Sequence, residues 1–329
     1  MRVLFFCIIT VTIGLTSCFE KDEPMTSRTW DGPAFQFSES IYDQQFYYSL
    51  SANSVISKNR NDAWDLSFES AKDGWHIRVN TSSLGIWQTS TTNFDQKSYP
   101  LSGGRWLYDN SNGHPDSTAI GQWVDFSAKT YSYQVYLIGK YDGETYRPSK
   151  KIVFTGVTDT SYTMKYADLS GGNYHEVTIR KDTLYNRVYY SFSNHATVII
   201  EPVKEAWDLM FGQYSTTLDD NGTPIVYFVR GTLLNPFQVE AQVDSVNNFS
   251  AITLSDVNKS LFSSRQDIIG HNWKSVEINQ QLVSARYKVR ENYTYLIKDV
   301  NGGYYKLKFT TFFNNMGTPG FPAFIFLRL

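Results

Sequence analysis

The side chains that could carry chemistry are few. The chain has 329 residues, with five histidines and two cysteines. His76 lies in the alternating run Trp75-His76-Ile77-Arg78-Val79-Asn80. It shares a face with Arg78, opposite Trp75, Ile77 and Val79, and reads as a surface position on a strand. His114 precedes Pro115 in a polar loop. His175 follows Tyr174 just after Gly171-Gly172, and His195 follows Asn194. These two flank a hairpin expected from 174–180 and 187–192 across 181–186. His271 stands inside Ile269-Gly270-His271-Asn272-Trp273. There is no His-Glu-x-x-His helix, no Gly-x-Ser-x-Gly elbow and no P-loop. Asp219-Asp220-Asn221-Gly222 lacks the spacing of a calcium loop and reads as a turn. Glycosidase chemistry needs two placed carboxylates, and no pair stands out. The chain reads as a binding protein, not an enzyme. Trp87, Trp106 and Tyr108, in a polar region, are of the type that stacks on sugar rings or peptides.

The elements that must position these residues are strands. Aromatic residues make up 16% of the chain, a load that favours sheets, and long helical periods are hard to find. Turn pairs such as Asn112-Gly113, Asp142-Gly143, Gly171-Gly172, Asn221-Gly222 and Asn301-Gly302 punctuate it. Clear alternation predicts strands over 131–138, 151–154, 225–233, 237–243 and 323–329, and a hairpin from 293–297 and 304–312 across Asn301-Gly302-Gly303. Ser255-Asp256 opens a short helix expected over 254–264.

One phrase occurs twice, slightly under half the chain apart. Ala63-Trp64-Asp65-Leu66-Ser67-Phe68 is answered by Ala206-Trp207-Asp208-Leu209-Met210-Phe211. Ile120-Gly121-Gln122-Trp123 is answered by Ile269 to Trp273, Tyr136-Leu137-Ile138 by Tyr295-Leu296-Ile297, and Lys151-Ile152-Val153-Phe154 by Lys306-Leu307-Lys308-Phe309. The order holds while loop lengths drift, as in a tandem duplication. The expected fold is all-β, two packed units over 35–200 and 201–329. In a strand, Trp64, Leu66 and Phe68 would face inward, with Asp65 and Ser67 outward. Trp207, Leu209 and Phe211 would repeat this, with Asp208 and Met210 outward. An Asp beside a buried Trp can accept a hydrogen bond and fix a corner.

The first residues give an address. Arg2 and the apolar run Val3 to Leu15 read as a signal peptide over 1–17. Leu15-Thr16-Ser17-Cys18 is similar to a bacterial lipobox, with Cys18 as the lipidated residue. Cys7 would leave with the signal, so neither a disulfide scaffold nor a cysteine zinc site is expected. Phe19-Glu20-Lys21-Asp22-Glu23 is an acidic run on a tether over 18–34. It resembles a surface-export signal of Gram-negative lipoproteins, so an outer-membrane, outward-facing location is expected; a plain solvated tether is the alternative. A net charge of −2 without a basic stripe argues against nucleic acid.

The Trp-Asp-Leu-x-Phe strand, the Tyr-rich hairpin ending Tyr305-Lys306-Leu307-Lys308-Phe309 and the lipobox together resemble the HmuY family, most clearly over roughly 200–329. The first half looks like a diverged second copy, as in longer members. The resemblance implies an all-β surface lipoprotein that binds haem, or a related tetrapyrrole, for a TonB-dependent outer-membrane receptor. Family members hold haem iron with His or Met. No such pair can be carried over by motif here, and between Trp207 and Gly270 there is no His. The candidates are therefore His175 with His195, then His76, Met210, Met164 and His271. Met in an apolar strand is otherwise packing. A glycan- or peptide-binding lipoprotein and a transporter accessory subunit are the alternatives.

Overall fold

Aromatic and β-branched runs separated by Gly-, Asn- and Asp-bearing turns fold as strands. The computed structural model describes residues 33–329 except 103, 221, 222 and 280–283. The signal segment, Cys18, most of the tether and the Asn221-Gly222 turn lie outside the described residues. Nearly all regular structure is antiparallel sheet. The chain opens with β1 (Ala34–Gln36), β2 (Gln44–Ser49), β3 (Ser54–Arg60), β4 (Leu66–Glu69), β5 (Ile77–Val79) and β6 (Leu84–Gln88). It continues through β7 (Val124–Asp125), β8 (Thr130–Tyr131), β9 (Tyr136–Tyr141), β10 (Tyr146–Val157), β11 (Ser161–Asp168) and β12 (His175–Arg180). Then come β13 (Arg187–Ser191), β14 (Ala196–Val198), β15 (Leu209–Asp220), β16 (Thr223–Leu234) and β17 (Glu240–Asp244). The last are β18 (Lys274–Asn279), β19 (Ser284–Val289), β20 (Thr294–Lys298), β21 (Tyr304–Phe313) and β22 (Pro319–Arg328).

Two five-stranded sheets have the orders β12-β11-β10-β9-β6 and β1-β22-β21-β20-β17. Each faces a four-stranded partner, β14-β13-β4-β5 and β16-β15-β2-β3. The repeated phrases occupy matching places. Tyr136 and Tyr295 begin corresponding runs in β9 and β20. Lys151 and Lys306 are both buried in the next strand, each donating to backbone carbonyls and lying over a phenylalanine ring. Trp123 packs on Phe154 at 5.4 Å and Trp273 on Phe309 at 4.0 Å. Gly121 and Gly270, with φ of 69° and 57°, take the left-handed turn that leads to each Trp.

The Trp-Asp corners share most of their hydrogen bonds. The Asp65 carboxylate accepts Phe192 N–H at 2.7 Å, and Asp208 accepts Leu50 N–H at 2.7 Å. The two Asp amides donate to Tyr190 and Tyr48 carbonyls. The Asn80 side-chain amide donates to the Asn61 and Trp64 carbonyls, and that of Asn235 to Lys204 and Trp207. Trp64 meets Tyr189 edge-on at 4.9 Å; Trp207 meets Tyr47 likewise at 4.8 Å.

These matches show how the cores are completed. One core runs from Leu66 to Phe192. The other joins Leu209 through Phe326 to Phe37, Ile41, Phe46, Tyr48 and Leu50. β1 pairs with β22, and β2 pairs with β15. The expected boundaries placed residues 35–60 with the first unit; hydrogen bonding and packing place them with the second, whose missing strands they supply.

Several local expectations are corrected. Residues 174–180 and 187–192 do not pair: β12 pairs with β11, and β13 with β4 and β14. The helix over 254–264 is two 3₁₀ turns, Leu254–Asp256 and Lys259–Leu261. The run 131–138 is broken, with only 130–131 and 136–141 in strands. The outward Asp of the phrase also fails, while Trp207 is buried as expected. The strands begin at Leu66 and Leu209, so Trp and Asp lie on the corner before them, where alternation does not apply. Asp208 is fully buried. Trp207 and Met210 join a small third cluster with Tyr47, Tyr189 and Ile200.

Two measurements check this account. Phe37 is 2% exposed and its ring lies 4.7 Å from Phe46 and 4.8 Å from Phe211. Phe37→Ala therefore lowers the unfolding free energy in urea by about 3–5 kcal/mol, whereas exposed Phe126→Ala changes it by less than about 0.5 kcal/mol. Burial pushes the Asp208 carboxyl up to about 6, although N–H groups of Val300 and Leu50 pull it down. A folded value above the unfolded one means stability that is complete at acid pH and lost as pH rises through 6. Against Asp208→Asn, wild-type stability should fall by about 2–2.5 kcal/mol from roughly pH 4 to pH 7.5; a pH-independent difference would contradict the assignment.

Candidate functional site

Of the six His and Met candidates, the fold brings two together. His175 opens β12 and sits directly across from Tyr166 of β11. Its ring stacks on Tyr166 at 4.9 Å and 13°. His195 sits in the turn between β13 and β14 with φ of 53°, a conformation that favours short polar residues and His. The turn lays its imidazole over His175, with ring centroids 4.2 Å apart at 18°. His195 Nδ1 is 2.8 Å from the Tyr166 hydroxyl, which is 3.0 Å from the Tyr190 hydroxyl. Burial, and the bond to Tyr190, hold the Tyr166 phenol above the usual tyrosine range. Tyr166 can thus donate to Tyr190 and accept from His195 Nδ1–H. That tautomer leaves the His195 Nε2 lone pair free on an exposed ring.

Beside His195 opens a cleft of about 480 Å³ whose wall includes Trp64, Ile138, Lys140, Lys150 and Phe192. Lys150 is tied to Asp168 at 2.8 Å. Lys140 is exposed. Asp65 forms part of the same wall, its carboxyl raised by burial despite the Phe192 N–H bond.

The other candidates are elsewhere in chemical terms. His76 is not a free surface residue: its Nδ1 is 2.7 Å from Glu69 and its ring stacks on Trp75 at 3.9 Å. His271 is half-buried, and burial with the nearby Lys274 charge pushes its pKa down. Met164 is fully buried opposite Phe154, a packing residue with no open face. Met210 packs against the corner cluster of Tyr47 and Trp207. Among the described residues no group of three or more His, Cys, Asp or Glu is placed to hold a metal ion. Tyr166 and Tyr190 escaped the sequence reading. The available signal was Tyr166 standing as far before Gly171-Gly172 as a direct partner of His175 requires.

The aromatic trio Trp87, Trp106 and Tyr108 forms a second feature. Trp106 stacks on Tyr146 at 5.3 Å and 30°, Tyr108 and Tyr141 meet the same ring at 5.3 and 5.1 Å, and Tyr141 meets Phe228 at 5.2 Å. Trp87 lies beneath, 8% exposed. Together they line a groove of about 1030 Å³.

The family model described as HmuY protein matches residues 184–326. No curated protein sequence matches the chain. Similar solved structures include one described as a HmuY-like heme binding protein from Bacteroides vulgatus ATCC 8482, at 10% identity, covering 89% of each chain with a TM-score of 0.22. A candidate lipoprotein from Bacteroides fragilis NCTC 9343 has 10% identity, 89% and 88% coverage and a TM-score of 0.23. Apo PinO from Porphyromonas gingivitis has 8% identity, 92% and 98% coverage and a TM-score of 0.27. Scores this low carry no residue correspondence. The family match stands on its own, and over residues 184–326 the chain is similar to the HmuY family, the stretch where its second Trp-Asp phrase and Tyr-rich hairpin lie.

Proposed function

We propose that this protein is a lipid-anchored surface lipoprotein that binds haem, or a related tetrapyrrole, for delivery to a TonB-dependent outer-membrane transporter. The signal peptide is 1–17, Cys18 carries the lipid, and the acidic tether 18–34 holds the β body outside the outer membrane. The observation that carries the reading is the Tyr190–Tyr166–His195 chain with its free Nε2, stacked on His175 at the mouth of a cleft. A metal-binding imidazole has its other nitrogen fixed by a hydrogen bond, and Tyr166 supplies that bond. Imidazole is a normal axial partner of haem iron. The two rings are stacked face to face 4.2 Å apart, which leaves no room for an iron between them. His195 is therefore the ligand and His175 its stacked support. Trp64, Ile138 and Phe192 offer apolar contact, and Lys140 a charge for a propionate. The cleft's volume is within the range of small-molecule sites, about 300–1000 Å³.

The chain lacking residues 1–18 should shift the Soret band of haemin and saturate near one haem per chain. His195→Ala should weaken binding more than tenfold. Tyr166→Phe should weaken it about 10–100-fold, the usual effect of losing a group that orients a ligand. His76→Ala and His271→Ala should leave the spectrum unchanged. An unaltered Soret titration in His195→Ala would remove this assignment.

A second reading rests on a different observation, the row of Trp106, Tyr146, Tyr108 and Tyr141 along the 1030 Å³ groove. Such rings stack on the apolar faces of sugars, which would make the protein a glycan binder. If so, calorimetry shows an oligosaccharide bound by wild type and lost in Trp106→Ala, with haemin giving only the spectrum of the free compound.

A further inference from the structure

Where the two Trp-Asp corners approach each other, the packing leaves a cavity of about 110 Å³. Six of the residues around it carry a buried polar atom with no hydrogen-bond partner in the protein. They are Gln45 Nε2, Trp64 Nε1, Arg78 Nε, Arg187 Nε, Trp207 Nε1 and the Tyr214 hydroxyl. Three belong to the core built on residues 66–192 and its corner. Three belong to the core that β2 completes. Buried donors are almost always paired, and each orphan costs about 1–3 kcal/mol. Six around one cavity call for a common partner.

The chemistry of the orphans restricts that partner. Indole and Arg Nε groups can only donate, as can the amide nitrogen of Gln. The nearby carboxylates are already engaged. Asp109 accepts the N–H groups of Val79 and Ala119, both at 2.7 Å. Glu201 accepts Arg187 N–H at 2.7 Å and, more weakly, the Asn186 amide and the Tyr189 hydroxyl. Among the described residues neither Arg78 nor Arg187 has a carboxylate oxygen within ion-pair distance; Arg78 gives its terminal nitrogen to the carbonyls of Gly113 and His114. Water filling the cavity would need an acceptor for each of its protons, whereas an anion needs only the donors.

We propose that this cavity binds a small monovalent inorganic anion of the halide or nitrate class, held by Trp64 and Trp207 Nε1 and by the two guanidiniums. The anion accepts from both corners at once and so ties the two cores together. Burial and the Arg187 charge push Arg78 down to about 10 against the pull of Asp109 and Glu69, whereas Tyr189, Glu201, Glu69 and Asp109 hold Arg187 above its usual value despite burial.

The test uses the mature chain in sodium gluconate, titrated with sodium bromide at constant ionic strength. The melting temperature should rise and saturate with bromide. Crystals grown in bromide should show an anomalous peak within hydrogen-bond distance of both indole nitrogens. Trp207→Phe, which removes one donor but keeps a ring, should raise the bromide midpoint about tenfold, the loss expected for one hydrogen bond to a charged group. If that variant fails to fold, the wild-type crystal still decides. No anomalous peak, or only water density in the cavity, overturns the proposal, as does a melting curve indifferent to the anion.

Discussion

The Asp208 carboxylate is the contact on which the architecture hangs. It is fully buried, and its two oxygens accept Leu50 N–H at 2.7 Å and Val300 N–H at 2.9 Å. Those partners lie 158 and 92 positions away. One side chain therefore joins the turn after β2, the corner before β15 and the turn between β20 and β21. A carboxylate without these partners would be costly to bury. With them, it draws Leu50 and Val300 to one point. Asp65 does the same for the first core with Phe192, over a shorter span.

That closure has a structural consequence. The first core is completed by strands that follow it, β12 to β14. The second is completed by strands that precede everything else, β1 to β3. The duplicated units are therefore related by a circular shift of strand order, and the second cannot assemble before the N-terminal strands dock. Pairing at such long separation raises the loop-closure entropy to be overcome. It is met by aromatic packing: Phe37, Phe46, Tyr48, Phe211 and Phe324 form one contiguous set of rings.

How much of this the sequence announced follows from the range of each interaction. Strands and hairpin turns are local, so β20 and β21 around Asn301-Gly302-Gly303 were readable from alternation alone. The duplication was readable because Trp, Gly and Lys sit at positions that tolerate little else: Trp123 and Trp273 on their Phe partners, Lys151 and Lys306 against carbonyls. The role of residues 34–60 was not readable, because nothing in Phe37 or Phe46 names its partner across 160 residues and more. The burial of Asp208 is not legible in the alternation for a geometric reason. Period-two alternation was extended back through Trp207, but the strand starts at Leu209. The pairing of His175 with His195 was anticipated from their flanking positions, although the hairpin expected between them does not form. They meet because β11 and β13 both pack their tyrosines on the same core.

The internal symmetry also bears on how many sites the chain has. In the first core, Ile152 pairs with Tyr166 and Phe154 with Met164; in the second, Leu307 pairs with Phe326 and Phe309 with Phe324. Tyr166 thus corresponds to Phe326, which has no hydroxyl to orient an imidazole. The turn residue His195, with φ of 53°, corresponds to Asn53, with φ of 49°. Asn53 spends its side-chain oxygen on the Tyr48 hydroxyl at 2.6 Å. Across from Phe326, where His175 would fall, the chain has Pro33. The backbone of the site is present twice, while the groups that could ligate occur once. The second core receives β1 to β3, and the first presents the imidazoles. On the haem reading, that asymmetry is why one ligand per chain is expected from a protein built of two similar halves.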